Sequence, residues 1–431
     1  MFLSVKEALL KKGHLFKKLP QTKQKYGGHM RFILSCLVVA LVFSNLLFAG
    51  GFQINEHGAR ATGMAGAFAT SYAPISIFYN PAGLTYLKGT NFSIGTTLIF
   101  PSARFRGPYQ FNTTQETKMV KQVFYPSNLY LTHTFESGFA IGIGVFNPYG
   151  LGSKWPEDWL GRAITVESDL KTFYINPTIA YKFSDELSIG AGFDFVYSTV
   201  TLTRKITSFT PEVDVKLSGD GTGVGFNVGW LLKLDPVSVG FSYRSQVKVN
   251  YSGTADFKKP AALDALLPGG NIKTSVKMPD VIMAGIGFSN ENVTFELGYQ
   301  FTRWSSYDVI EIDFETETQA QKDQKLERYY RDVSIYKAGL EYRFGNFALR
   351  GGIAYDRNPI DDKYVEPSLP DSDRWEFTFG AGYTMGNLTI DLGYMFVRFK
   401  QREVIGTVVG FDGVYNASAH LLGINFSYKL F

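Results

Sequence analysis

The sequence predicts an all-β membrane protein: a fourteen-stranded antiparallel transmembrane β-barrel plugged by a small N-terminal hatch. Apolar and polar residues alternate over long stretches, and very short turns alternate with long polar loops. The 431 residues are also rich in aromatic side chains (16%) and in glycine (44), and poor in charge (19%). Strand side chains point alternately to opposite faces, so such alternation gives each strand one apolar and one polar face. A chain of this length forms either several domains or one large closed β structure.

Residues 1–49 are predicted to be a basic extension and a secretory signal peptide. They hold eight of the 43 basic residues, and an apolar stretch, Phe32 to Phe48, leads into the small residues Ala49 to Gly51. A basic flank, an apolar stretch and a small-residue cleavage zone are typical of such a signal. Translation from Met30 would give a more ordinary signal, and the sequence leaves the start open. The single cysteine, Cys36, lies in this segment, so the exported chain has no thiol for disulfides or metals.

The remaining chain offers little for catalysis or nucleic-acid binding. Its 35 basic and 38 acidic side chains give a net charge of −3, without a basic stripe. Its histidines are His57, His133 and His420, and they show no spacing typical of a metal site or a catalytic constellation. We therefore expect no enzyme activity, no metal and no cofactor.

Residues 50–89 are predicted to be the hatch, and residues 90–431 the barrel. The hatch segment is rich in small residues from Gly58 to Ala69, and alternation begins only at Asn91. Small residues allow close packing against a surrounding wall. The apolar side chains from Ile75 to Leu84 would be costly to leave in water.

The barrel strands are predicted to be joined in pairs by tight turns at one end and by long loops at the other. Alternation is clear from Val293 to Phe301 and from Leu388 to Phe396. The tight turns fall at 184–186, 234–236, 290–292, 345–346 and 386–387, and the long loops at roughly 104–120, 150–162, 207–221, 253–278, 314–330, 357–372 and 400–413. An even strand number with this loop asymmetry is typical of bacterial outer-membrane barrels. The terminal Phe431 fits a barrel delivered by the outer-membrane assembly machinery.

An ordered series of motifs closely resembles the FadL/TodX family of outer-membrane transporters of long-chain fatty acids and other hydrophobic compounds. The series is GFQINE from Gly51, YNPAGL from Tyr79, YGL from Tyr149, INPTIAYKF and LSIGAGFDFVY between Ile175 and Tyr197, FNVGWLLKLD from Phe226, SYRSQVKVNYSG from Ser242, MPD from Met278, and RGGIAYDRNPI followed by LPDSDR before Trp375. The resemblance implies passive diffusion of an apolar ligand through the plugged barrel. It also implies that the ligand leaves sideways near an inward-kinked third strand.

The resemblance also implies roles for individual residues. Phe52 would touch the inner binding pocket, and Asn80, Pro81 and Ala82 would form a hatch motif that faces the kinked strand. That strand would be Ala140 to Tyr149. Its Gly142, Gly144 and Pro148 suit a broken ladder, because glycine removes packing bulk and proline cannot donate a ladder hydrogen bond. Ordinary lumen-facing glycines are the alternative.

Arg204 matches a family arginine that lies near the ligand carboxylate, and Lys325 or Arg328 would be a second basic partner. A guanidinium can bind a carboxylate through two parallel hydrogen bonds. The expected partners are a long-chain fatty acid or another hydrophobic small molecule, outer-membrane lipid and the assembly machinery, and the chain is expected to be a monomer. Uptake of aromatic or aliphatic hydrocarbons, a general porin and an adhesive surface barrel remain as alternatives.

Overall fold

A computed structural model of the protein describes residues 51–430. The predicted signal segment with Met30 and Cys36, and the terminal Phe431, lie outside the described residues. Within residues 51–430, fourteen strands form one closed antiparallel barrel, as predicted. Each strand pairs with the next, and β1 pairs with β14 from Asn91↔Lys429 to Arg106↔Val414, which closes the wall.

Several barrel strands are interrupted and are therefore given as two pieces. They are β1 (Gly89–Arg106), β2 (Glu116–Lys118 and Ser127–Thr134), β3 (Phe139–Phe146 and Gly150–Lys154), β4 (Glu167–Lys182), β5 (Leu187–Ile206), β6 (Val213–Leu234), β7 (Val237–Arg244 and Val247–Lys258), β8 (Gly270–Met278 and Val281–Ser289), β9 (Val293–Thr302 and Val309–Phe314), β10 (Gln324–Glu327 and Val333–Phe344), β11 (Phe347–Asp356), β12 (Arg374–Met385), β13 (Leu388–Phe399 and Arg402–Val404) and β14 (Gly413–Lys429).

Short helices occur before β1 and in the loops. They are α1 (Ala59–Thr62), α2 (Ser76–Tyr79) and the 3-10 segments Pro81–Tyr86, Tyr109–Phe111, Ala261–Leu263, Trp304–Ser306 and Asp362–Tyr364. None of the helices in residues 51–430 has both the length and the apolar character needed to cross a bilayer.

The alternation in the sequence becomes an apolar outer face and a largely polar inner face. On β4, for example, Phe173, Ile175 and Ile179 are exposed, whereas Thr172, Asn176 and Thr178, which alternate with them, are buried. A band of exposed large apolar residues around the barrel is the surface that lipid covers in an outer-membrane protein.

The predicted tight turns are confirmed, but some of the loops at the opposite end are shorter than expected. β5 runs to Ile206 and β6 starts at Val213, so much of the predicted loop 207–221 is strand. Likewise β7 continues to Lys258 within the predicted loop 253–278. The ends of these hairpins are rich in polar residues and therefore have the composition of a loop. For this reason the strand boundaries predicted from the sequence were wrong here.

Residues 51–88, hereafter the hatch, lie inside the barrel and are largely buried. Glycines on the inner wall allow the hatch backbone to approach closely. A Cβ at Gly240 would lie 2.1 Å from the carbonyl oxygen of Ala69, and one at Gly339 would lie 2.5 Å from that of Met64. Small residues on both surfaces therefore permit the hatch to pack directly against the wall.

Candidate ligand cavity and wall gap

Buried polar groups of the wall hold the hatch in place. Arg244 of β7 forms an ion pair with Asp194 of β5 at 2.5 Å, and both side chains are almost fully buried. The same guanidinium donates to the carbonyl oxygens of Ile77 and Phe78, each at 3.3 Å. Because helix ends leave backbone carbonyls without partners, Arg244 satisfies groups that α2 cannot satisfy itself. It thereby ties α2 to the wall.

A second anchor is the carboxylate of Glu296 on β9. It accepts hydrogen bonds from the backbone nitrogen of Thr70 at 3.0 Å and from its hydroxyl at 2.7 Å. Glu296 and Arg244 were not identified from the sequence. Their signal was present, since a charged residue at an inward position in mid-strand marks a polar partner inside a barrel.

The tripeptide Asn80, Pro81 and Ala82 lies against β5 and β6, which differs from its expected place facing β3. The Asn80 amide donates to the carbonyl oxygens of Ala69 (2.8 Å) and Trp230 (3.0 Å). Its side-chain oxygen accepts from the Ala82 nitrogen at 3.2 Å and caps the 3-10 segment Pro81–Tyr86. Asn80 therefore joins two parts of the hatch to the wall.

The hatch residue that touches the glycines of β3 is Ile77. A Cβ at Gly142 would lie 2.9 Å from its Cδ1, and one at Gly144 would lie 3.0 Å from its Cγ2. Both glycines sit in a regular ladder, opposite Thr132 and Tyr130 of β2. They make room for α2 and do not interrupt the strand.

The break in β3 falls at residues 147–149, around Pro148. There Asn147 donates from its amide to the carbonyl oxygen of Thr172 at 2.6 Å, and the Thr172 hydroxyl donates to the carbonyl oxygen of Tyr149 at 2.6 Å. The Tyr149 hydroxyl reaches across the lumen and donates to the carbonyl oxygen of Pro279, which lies between the two pieces of β8, at 2.7 Å. Since β8 is five strands away around the barrel, β3 is displaced inward at this point.

The inward displacement leaves a gap between β2 and β3. Their ladder ends at Leu129↔Val145. Beyond it, among the described residues, no backbone hydrogen bond joins 121–126 to 147–153. The gap is bounded by a bond from the Ser127 nitrogen to the Asn147 side chain (3.0 Å) and by one from the Val120 nitrogen to the Lys154 carbonyl oxygen (2.7 Å). Seven residue steps give this wall gap a length of roughly 20 Å.

The start of the hatch takes the place of β2 beside the displaced strand. The Ile54 nitrogen donates to the carbonyl oxygen of Pro148 at 2.8 Å, and the Gly150 nitrogen donates to that of Phe52 at 3.0 Å. These bonds satisfy β3 backbone groups that a continuous wall would pair with β2. A shift of the hatch start would therefore free this edge of β3.

A cavity of about 610 Å³ lies behind the wall gap. Its lining comes from the hatch start, β1, the residues around the gap, β4, β12, β13, β14 and the loop before β12. Lumenal residues such as Phe52 and Glu376 line it together with Tyr125, which is 72% exposed on the outside of the barrel. The cavity therefore extends from the lumen to the wall gap. A volume in this range suits a drug-sized or lipid-sized apolar ligand.

Phe52 lies at the inner end of this cavity, among aromatic rings. Its ring centroid is 4.7 Å from that of Trp304, 5.2 Å from Tyr307 and 6.1 Å from Tyr149. Edge-to-face packing at these distances fixes the ring. Phe52 therefore joins the hatch start to β3 and to the segment between the two pieces of β9.

The three basic candidates do not all lie together. Arg204 donates to Gln324 at 3.3 Å and lies close enough to Glu366 to interact electrostatically with it. Arg328 pairs with the same Glu366 at 2.6 Å and is mostly buried. Lys325 is 74% exposed and pairs with Glu311. Arg204 and Arg328 thus share one carboxylate, whereas Lys325 belongs to a separate surface pair.

Charged residues also line the lumenal part of the cavity, and the sequence did not single them out. They are Glu56 of the hatch, Asp371, and Arg374 and Glu376 of β12. Arg374 pairs with Asp371 at 3.3 Å and with Asp356 at 2.5 Å. This end of the cavity therefore carries more carboxylates than cations. Among the described residues, no group of His, Cys, Asp and Glu has the arrangement of a metal site.

The barrel, its internal hatch and a cavity that reaches the wall gap define a plugged outer-membrane transport channel. The family model "Outer membrane protein transport protein (OMPP1/FadL/TodX)" matches residues 40–430. The chain belongs to this family, which consists of transport channels and not of enzymes. It is an outer-membrane protein.

Individual relatives match over nearly their whole length. The "Long-chain fatty acid transport protein" of Salmonella typhi is 25% identical, over 92% of this chain and 98% of that protein. A crystal structure of a Pseudomonas aeruginosa FadL homologue superimposes with a TM-score of 0.79 at 18% identity, covering 89% of this chain and all of that one. The Ralstonia pickettii toluene transporter TbuX gives a TM-score of 0.67 at 19% identity, over 88% of this chain and 100% of that one.

Proposed function

We propose that this protein takes up hydrophobic molecules, foremost long-chain fatty acids, by passive diffusion through the cavity and out of the barrel through the wall gap between β2 and β3. The observation that carries the proposal is the cavity itself, whose lining runs from Phe52 in the lumen to Tyr125 on the outer face. The named relatives transport fatty acids or toluene, and this supports the ligand class.

The energetics of an apolar ligand favour a sideways exit. Burial gains about 0.8 kcal/mol per methylene, so a long acyl chain gains on the order of 10 kcal/mol by entering an apolar cavity. Release into water would lose this gain, whereas release into lipid retains it. A passage that opens toward the bilayer therefore needs no external energy source.

The hatch contacts argue against the general-porin alternative. Arg244, Glu296 and Asn80 fasten the hatch to the inner wall through buried hydrogen bonds. A water-filled pore along the barrel axis would require these bonds to break. The adhesive-barrel alternative gains no support from the structure, because two of the predicted long loops, 253–278 and 314–330, are partly strand.

The charges support a defined orientation for an acid. Arg204 and Arg328 lie beside Glu366, so a ligand carboxylate could compete for their hydrogen bonds. Carboxylates outnumber cations at the lumenal end, where Arg374 is already paired. A fatty acid would therefore keep its head group near Arg204 and place its tail in the cavity.

The pairing of Arg374 also supports a second candidate, uptake of uncharged aromatic or aliphatic hydrocarbons. A neutral ligand needs no free cation, and at the lumenal end of the cavity Arg374 is already paired with Asp371 and Asp356. Uptake of labelled oleate and labelled toluene by the same cells separates the two candidates.

We further propose that the chain acts as a monomer, that its outward apolar band contacts outer-membrane lipid, and that the barrel assembly machinery inserts it. Hatch and barrel then correspond to residues 50–89 and 90–431, preceded by the signal segment 1–49. β1 begins at Gly89, next to the predicted boundary.

The lateral route can be tested by closing the gap from outside. Tyr125→Cys places a thiol at the outer rim of the gap, and a bulky maleimide attached there should lower oleate uptake to the level of cells without the protein. The matched control is labelled Phe193→Cys, because Phe193 is an exposed aromatic of β5 away from the gap. Normal uptake by the labelled Tyr125→Cys protein would refute the lateral route.

A further inference from the structure

One side chain, Phe124, spans the wall gap. Its backbone is held by β1, because the Phe124 nitrogen donates to the carbonyl oxygen of Ile99 at 3.0 Å and the Ile99 nitrogen donates back at 2.8 Å. The neighbouring Val123 and Tyr125 are exposed on the outside of the barrel by 48% and 72%. Phe124 alternates with them and therefore points inward, toward β3.

The ring of Phe124 rests on Gly152, on the outer face of the displaced strand. Gly152 pairs with Asp169 of β4, and residues directly opposite in an antiparallel pair project to the same face. The Asp169 side chain is partly exposed beside Lys171, so this face of β3 is the outer one. A Cβ at Gly152 would lie 1.9 Å from Cζ of Phe124, so a side chain there would force the ring to move.

This contact differs in kind from the rest of the wall. Elsewhere neighbouring strands are joined by backbone ladders, which require several hydrogen bonds to break together. Across the gap the described residues 121–126 and 147–153 share no backbone hydrogen bond, and the Phe124 ring lies against bare backbone at Gly152. A rotation of one side chain about its own bonds changes the width of the passage while the backbone stays fixed.

We propose that Phe124 is the gate of the wall gap and that its ring must turn away from Gly152 for a ligand to leave the cavity. The inference rests on the lateral route proposed above. Both residues line the cavity, so their contact lies on the path of a ligand that moves from the cavity toward the lipid. The size of the side chain at position 124 then selects among ligands by their cross-section. Gly152 has no side chain and therefore leaves room for the Phe124 ring against the backbone of β3.

The test compares release rates with equilibrium binding in the purified full-length protein, reconstituted in lipid vesicles. Two fluorescent probes are used: cis-parinaric acid, which is slim, and a stearic acid that carries an anthroyloxy ring at mid-chain. Stopped-flow fluorescence follows transfer of the bound probe into the bilayer. Phe124→Ala should release the bulky probe about tenfold faster, with a smaller change for the slim probe, and Phe124→Trp should slow both.

The matched control is Phe399→Ala, because Phe399 lines the same cavity on β13 and lies away from the gap. It removes the same apolar ring from the cavity, so it should weaken binding without the size-dependent acceleration. Phe124→Leu provides a milder variant if Phe124→Ala fails to fold, which heat-modifiable migration on gels would reveal.

Two outcomes would show that Phe124 is not the gate, and they differ in what they imply for the lateral route. If Phe124→Ala and Phe124→Leu release both probes at the wild-type rate while maleimide on Tyr125→Cys still blocks uptake, the gate is wrong and the lateral route stands. If the label on Tyr125→Cys also has no effect, the lateral route itself is wrong.

Discussion

The ion pair between Arg244 and Asp194 should decide how firmly the hatch is held. In Arg244→Met the Asp194 carboxylate stays buried without its partner, and the carbonyl oxygens of Ile77 and Phe78 lose a donor. Removal of one partner of a buried pair costs about 3–5 kcal/mol. This loss of free energy destabilises the state in which the hatch is docked, because water can solvate Asp194 once α2 has moved away.

A loss of about 3 kcal/mol corresponds to a shift of about 150-fold in the equilibrium between docked and undocked hatch. Hydrogen–deuterium exchange measures this shift directly. The amides of Phe78 and Asn80, which bond within α2, should exchange about 100-fold faster in Arg244→Met than in the wild type. Amides in the β1–β14 ladder should be unchanged.

Two variants complete the test. Asp194→Asn combined with Arg244→Met removes the unpaired charge and should restore part of the protection. Arg244→Lys keeps a charge but lacks the planar fork that reaches Asp194 and both carbonyls, so it should be intermediate. Wild-type exchange in Arg244→Met would refute the view that this pair anchors the hatch.

Four further outcomes follow from the contacts. Gly144→Val drives a side chain into Tyr130 of the wall and Ile77 of the hatch, and should destabilise hatch docking by about 1–3 kcal/mol, seen as faster exchange in α2, whereas Gly144→Ala should cost less. Asn80→Ala removes a donor from the carbonyl oxygens of Ala69 and Trp230 and the acceptor of the Ala82 N–H, and should cost about 3 kcal/mol by the same measurement; unchanged protection would contradict its anchoring role. Arg204→Ala should lower oleate uptake about tenfold and leave toluene uptake unchanged, and an equal loss of both would count against head-group binding. Burial lowers the pKa of His57 to about 3, below its usual 6.5, so the neutral ring favours the docked hatch at pH 7. That contribution is lost as the pH falls below about 6.5, by about 2 kcal/mol at pH 5, and exchange in His57→Gln should lack this pH dependence.

The sequence predicted the barrel well, because its signal is local. Alternation and tight turns such as Gly345–Asn346 report strand faces and hairpins without reference to distant residues. The hatch could be recognised for the same reason, from its small residues and the absence of alternation. Pro148, one of the three residues that the family resemblance suggested for a broken ladder, lies between the two pieces of β3.

Features that depend on docking between distant segments were not predictable. Gly142 and Gly144 were assigned to a broken ladder, yet they form a regular ladder and accommodate Ile77. Glycine marks both situations, and only the position of the hatch separates them. The contact of Phe124 with Gly152 likewise depends on the inward displacement of β3, which no local pattern encodes.

The partners of charged side chains were likewise not predictable from the sequence. Arg328 and Lys325 lie three residues apart, and the sequence could not tell which of them would be the second basic partner beside Arg204. Lys325, in the short piece Gln324–Glu327, lies on the surface and pairs with Glu311. Arg328, directly after this piece, pairs with Glu366.

The most direct test of the central claim is to locate the ligand on its way out. A fatty acid with a photoreactive diazirine at the tail end is bound to the protein in lipid vesicles, illuminated, and its adducts are mapped by mass spectrometry. Exit through the wall gap predicts adducts at Phe124, at Tyr125 and in the Gly150–Lys154 piece of β3. A second cavity of about 330 Å³, lined by Arg60 and Asn91, lies where an axial route past the hatch would run. Adducts concentrated there, with none at the wall gap, would contradict the lateral route.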